Sequence, residues 1–67
     1  MNIPLRSSWL ASMEVDGETL TITTKSGEVL RYTGVPSHVS QALPLANSPG
    51  GIWRAMIKGR YQEQKIT

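Results

Sequence analysis

The sequence contains no cysteine and no phenylalanine, a single histidine, and no long apolar run. Each absence excludes something. Without cysteine there is no disulfide staple, which fits a reducing compartment. With His38 as the sole imidazole and no thiolate, a closed tetrahedral zinc site is excluded. No stretch approaches the roughly 18 apolar residues of a membrane-spanning helix. Met1-Asn2-Ile3-Pro4-Leu5-Arg6 has neither the basic start nor the apolar centre of a signal peptide. A cytoplasmic protein is therefore expected. Catalytic signatures are missing as well. There is no G-x-S-x-G and no phosphate-cradling loop of the P-loop or dinucleotide type. A nucleophile, base and orienter would have to be assembled from a serine, His38 and Asp16, and nothing in their spacing favours that set. The acids are scattered over turns and strand surfaces, which argues against a paired-carboxylate site. A non-enzyme without cofactor or metal is expected.

What is present is a chain of 67 residues, read as a single domain over 1–67 and near the lower end of what folds alone. A core of that size supplies only about 3–5 kcal/mol. With disulfides and zinc excluded, self-association is the reinforcement left, so a homo-oligomer is one expected partner state. The net charge of +2 is unevenly placed. Residues 1–50 carry Arg6, Lys25 and Arg31 against Glu14, Asp16, Glu18 and Glu28, hence −1. Residues 51–67 carry Arg54, Lys58, Arg60 and Lys65 against Glu63, hence +3. A basic C-terminal quarter points to an anionic partner; the plain alternative is a solvated helix face with a basic tail.

Hydrophobic periodicity gives the elements. Ala11, Met13 and Val15 alternate with Ser12 and Glu14, as in a half-buried strand. Asp16-Gly17 is a hairpin signal. Leu20 and Ile22 alternate with threonines in a second strand rich in β-branched residues. Ser26-Gly27 marks another turn, and Glu28 to Thr33 reads as a third strand with Leu30 and Tyr32 inward. Pro36 suits the first position of a helix, read here as Ser37 to Leu43 and stopped by Pro44. Asn47-Ser48-Pro49-Gly50 is loop composition. A second helix is read from about Gly51 or Ile52 to Lys58, with Ile52, Met56 and Ile57 toward the sheet and Gly59 as its C′ residue. The tail from Arg60 is read as a short extended piece around Tyr61. The expected fold is α+β: a three-stranded antiparallel meander followed by two short helices packed on one face.

The order of these pieces resembles a known family. Ser7-Ser8-x-Leu10-Ala11-Ser12, a hairpin closed by Ser26-Gly27, Tyr32-x-x-Val35-Pro36, Ala46-x-Ser48-Pro49-Gly50 and Ile57-Lys58-Gly59-Arg60-Tyr61 together look like the KTSC domain. That family is named for the C-terminus of some lysyl-tRNA synthetases and also occurs as small stand-alone bacterial and phage proteins. The resemblance spans roughly residues 7–66. Here Leu30-Arg31-Tyr32 replaces the family's Tyr-x-Tyr, Ile52-Trp53 replaces an aromatic pair, and Gln62-Glu63 stands where an aromatic residue is usual. The resemblance implies a nucleic-acid-binding role.

Candidate ligand contacts are aromatic and basic: Trp53, Arg54, Lys58, Arg60 and Tyr61 within nine residues, joined by Arg31 and Tyr32 of the third strand. Arg54 and Lys58 are spaced i, i+4 on a helix. Arginine offers a phosphate a bidentate fork, and an aromatic ring offers a base a stacking surface worth roughly 1–3 kcal/mol. The plain alternative assigns Tyr32, Trp53 and Tyr61 to the core of a domain without phenylalanine. Asn47 to Gly51 would present backbone N–H groups to an anion, or serve as an ordinary loop before a helix. Trp9 stands apart as a candidate interface residue. The expected function is a binding module for a phosphate-bearing ligand, in two versions. One is nucleic-acid (including RNA) binding along the basic C-terminal face. The other is a nucleotide-capturing oligomer, the anti-defence device by which a stand-alone phage protein would sequester a host signalling nucleotide. The competing expectation is a protein-interaction module that inhibits or adapts a host protein.

Overall fold

The computed structural model describes residues 2–66. Five strands form one antiparallel sheet in the order β1-β2-β3-β4-β5: β1 Asn2–Pro4, β2 Leu10–Asp16, β3 Thr19–Thr24, β4 Val29–Thr33 and β5 Gln62–Lys65. Between β4 and β5 lie α1 Ser37–Ser40, α2 Ala42–Leu45, α3 Pro49–Ile52 and a π-helical segment Trp53–Ile57 continuous with α3. The fold is α+β as the sequence implies, but the sheet has five strands, not three. The two extra strands are the edges. β1 is three residues long and ends in Pro4, tolerable only at an edge because proline has no N–H to give a ladder. β5 is exposed along its whole length, so it lacks the alternation that marks a half-buried strand.

The turns follow local chemistry. Asp16 pairs with Thr19, leaving a two-residue loop in which Gly17 takes φ +62° and Glu18 stays at negative φ. That is the requirement of a turn whose first corner alone is left-handed. In the next hairpin, Thr24 Oγ1 accepts from Glu28 N–H at 3.0 Å and Gly27 takes the left-handed position at φ +97°. The register of β2 contains a bulge: Leu10 pairs with Thr24 and Ser12 with Thr23, so Ala11 is extra. The inward set is therefore Leu10, Met13 and Val15, and Ala11 leaves the face that strict alternation assigns to it.

The helical region also departs from expectation. Pro44 does not stop a helix. It sits in the first turn of α2, where its missing N–H has no intrahelical partner to lose. The second helical stretch begins earlier than expected, at Pro49, because Ser48 caps it: its Oγ accepts from Gly51 N–H at 3.4 Å. It closes with an i→i−5 bond from Lys58 N–H to Trp53 O at 2.9 Å. Gly59, at φ +77°, is the C′ residue as read from the sequence. The wider π turn directs Trp53 and Ile57 inward and leaves Met56 exposed, not facing the sheet.

Helices cover one face of the sheet. The core between the layers joins Leu10, Met13, Leu20, Ile22 and Tyr32 of the sheet to Val35, Val39, Leu43, Trp53 and Ile57 above it. The other face, with Glu14, Thr19, Thr21, Arg31, Thr33 and Gln64, is polar and open. Among the described residues, no helix is long and apolar enough to cross a membrane.

Candidate functional site

Two segments far apart in sequence meet at one side of the domain. One is the β1–β2 connection Arg6-Ser7-Ser8-Trp9; the other is Asn47-Ser48-Pro49-Gly50-Gly51, leading into α3. With Arg54 they line a cleft of about 400 Å³. Both segments are held by their own serines. Ser7 Oγ accepts from the N–H groups of Trp9 and Leu10, each at 3.2 Å, which fixes the tight turn before β2. Ser48 holds the opposite wall through the cap just described. Arg6 and Arg54 are exposed, no carboxylate lines the cleft, and neither arginine forms an ion pair among the described residues.

Trp9 joins the two walls. Its ring meets that of Trp53 edge-to-face, with centroids 4.9 Å apart and planes at 78°, a geometry the aromatic quadrupoles favour. Its indole lies directly on Gly50: a Cβ at that position would come within 2.6 Å of Trp9 Nε1. Glycine here is a close-approach residue, not a flexible one. Behind Trp9, a hydrogen-bond chain runs from the core out to the edge strand β5. Trp53 Nε1 donates to Tyr32 Oη at 2.9 Å, and the Tyr32 hydroxyl donates to Glu63 Oε1 of β5 at 2.7 Å. Burial and then the Glu63 carboxylate push the Tyr32 phenol far above its ordinary value of 10.0, so it stays protonated.

The residues singled out in the sequence are dispersed by the fold. Tyr32 is fully buried and Trp53 nearly so, which places both in the core and takes their ring faces away from any base. Arg31 lies on the open face of the sheet, opposite the helices, and does not join the C-terminal cations. Arg60 donates from Nε to Ala55 O at 2.9 Å and so caps the end of the π-helical segment. Tyr61 is half-buried against the core. Lys58 reaches over the Trp53 ring, with Nζ 5.6 Å from its centroid, a cation–π contact. Arg54 alone of this set lines the cleft. Trp9, read as standing apart, is half-buried in the cleft wall. The cleft-lining residues absent from the expected set are Arg6, Ser7 and Ser8. For the serines the signal was present in the Ser7-Ser8 and Ser48-Pro49-Gly50 pieces, two polar, small-residue segments of which only Pro49 is fully buried; for Arg6 there was none along the chain.

Comparison with known proteins agrees with this architecture. Residues 6–61 match the profile of the KTSC domain. No curated protein matches the chain. Among solved structures, the crystal structure of the KTSC domain protein YPO2434 from Yersinia pestis superposes with a TM-score of 0.88 at 30% sequence identity, covering 100% of this chain and 97% of that one. Both matches take in the serine-held turn, the glycine loop and the tryptophan between them, and the chain belongs to the KTSC domain family.

Proposed function

We propose that the protein is a non-catalytic binding module for a phosphate-bearing ligand, a nucleotide or nucleic acid, taken up in the cleft between Arg6 and Arg54. The observation that carries this reading is the pair of arginines in a cleft that no carboxylate of the described residues lines. Exposed in the cleft with no described carboxylate beside it, a guanidinium attracts an anion, and a phosphate offers it two oxygens at once. Ser8 offers an exposed hydroxyl in the cleft, and the half-exposed Trp9, seated on Gly50, supplies an apolar wall beside it. Lys58, held over Trp53, adds positive potential nearby. The protein-interaction alternative rests on Trp9 as an exposed contact and on the open sheet face or edge, and only the first of these is changed by the fold. The packing of Trp9 against Gly50 and Trp53 shifts the balance toward a small anionic ligand.

Both tryptophans lie at or behind the cleft, so intrinsic fluorescence is a direct readout. Titration with a nucleoside monophosphate and with a short single-stranded oligonucleotide separates the two versions. Saturable quenching by the monophosphate supports a nucleotide pocket. Quenching by the oligonucleotide alone, with a steep loss of affinity as salt rises, supports backbone recognition. No saturable response to either, in protein of native fold, refutes the reading. Co-purification of a protein partner that survives nuclease and high salt would favour the interaction module instead.

A further inference from the structure

The two edges of the sheet are built differently. β1 is short and carries Pro4, which disqualifies it as a template for another strand. β5 has no such guard: it lies at the end of the strand order, contains no proline or bulge, and all four of its residues are exposed. Ile66 N–H donates to Val29 O at 2.8 Å, and Arg31 pairs with Gln64 and Thr33 with Gln62. Antiparallel ladders alternate. The backbone groups of Gln62 and Gln64 therefore face β4, and those of Glu63 and Lys65 face outward with no strand of the described residues beside them.

We propose that a second copy of this chain pairs along β5, antiparallel and about a two-fold axis at Gln64, extending the sheet across two molecules. In that register Glu63 of each copy lies opposite Lys65 of the other. Those are the two residues whose outward N–H and C=O groups can exchange hydrogen bonds, so backbone and charge select the same alignment. Their side chains also share a face, that of Leu30 and Tyr32. The neighbouring two-fold registers, centred on Glu63 or on Lys65, set like charges opposite each other, which destabilises a cross-strand pair. The existing partners are compatible. Lys65 Nζ holds Glu28 at 3.0 Å and Glu63 Oε1 holds Tyr32, while an ammonium has three donors and a carboxylate a second oxygen. Each lysine then sits between two carboxylates. The contact uses no residue of the cleft.

A four-residue strand pair buries little surface, so the expected dimer is weak, dependent on protein concentration and weakened by salt. Sedimentation velocity over a concentration series tests it with three preparations. Lys65→Glu and Glu63→Lys each place like charges in the proposed register and are expected to be monomeric alone. Mixed together they restore opposite charges on both sides and are expected to form a heterodimer. Amide hydrogen exchange of the unmodified protein gives an independent readout should either variant fail to fold: the Glu63 and Lys65 amides are expected to gain protection as concentration rises. A monomer throughout with unchanged exchange at those two amides overturns the proposal. So does self-association that both single variants retain.

Discussion

Tyr32 is the residue on which the core and the sheet edge depend together. Its hydroxyl accepts from the buried Trp53 indole and donates to the exposed Glu63 carboxylate of the edge strand, so its loss strands the Trp53 indole N–H in the interior. Leaving a buried donor unpaired costs about 1–3 kcal/mol. Tyr32→Phe is expected to lower stability by that amount, read from the denaturation midpoint. The same substitution tests the titration. The folded phenol is held above the ordinary value of 10.0, whereas the unfolded one ionises near it. The folded state thus keeps a proton that the unfolded state gives up. The stabilisation is fully present below pH 10 and declines above it, by at most about 1.4 kcal/mol per pH unit. Stability of the wild-type protein should fall more steeply above pH 10 than that of Tyr32→Phe; equal slopes would contradict the buried, protonated phenol. Gly50 gives a second test at this scale. Gly50→Ala drives a methyl into Trp9 Nε1, and overpacking of this kind costs about 1–3 kcal/mol. It is expected to shift Trp9 fluorescence and weaken anion binding together.

At the scale of elements, the central strands were legible and the edges were not. Leu20, Ile22, Leu30 and Tyr32 alternate because β3 and β4 bury one face, and that signal survives in the sequence. β5 buries neither face, and β1 is too short to alternate, so both are specified by pairing partners distant along the chain. The bulge at Ala11 broke the period of β2 for the same reason: register depends on the facing strand. Pro44 misled because a proline in a first helical turn looks, out of context, like a stop. The site was half legible. Arg54 was in the expected set and lines the cleft; Arg6 was not, because nothing along the chain says that residue 6 folds back beside residue 54. Tyr32 and Trp53 look the same in sequence whether they stack on a base or hydrogen-bond to each other in the core. Among the element ends, Ser48 and Gly59 carry definite costs. Ser48→Ala removes the cap of α3, for about 0.5–1 kcal/mol given the exposed, 3.4 Å bond. Gly59→Ala meets no neighbouring atom, so its expected cost of about 1 kcal/mol is the left-handed backbone alone. Chemical denaturation of both variants checks these values.

The whole molecule combines an economical core with one cationic cleft. Its radius of gyration is 10.4 Å, and in a body this small the cleft lies immediately against the core: Trp9 lines it, Trp53 backs Trp9, and Tyr32 and Glu63 continue the contact to β5. Ligand affinity and fold stability should therefore move together for changes at Trp9 or Gly50, and separately for changes at Arg6 or Arg54, whose side chains are exposed. The central claim is that this cleft binds a phosphate group, and the most direct measurement is a backbone-amide NMR titration with inorganic phosphate. Saturable shifts are expected, confined to Ser7, Ser8, Trp9, Gly50, Gly51 and Arg54, and lost in Arg6→Ala and Arg54→Ala while both variants keep the wild-type spectrum elsewhere. Shifts that fail to saturate, that centre on the open sheet face around Arg31, or that persist in both variants would contradict it.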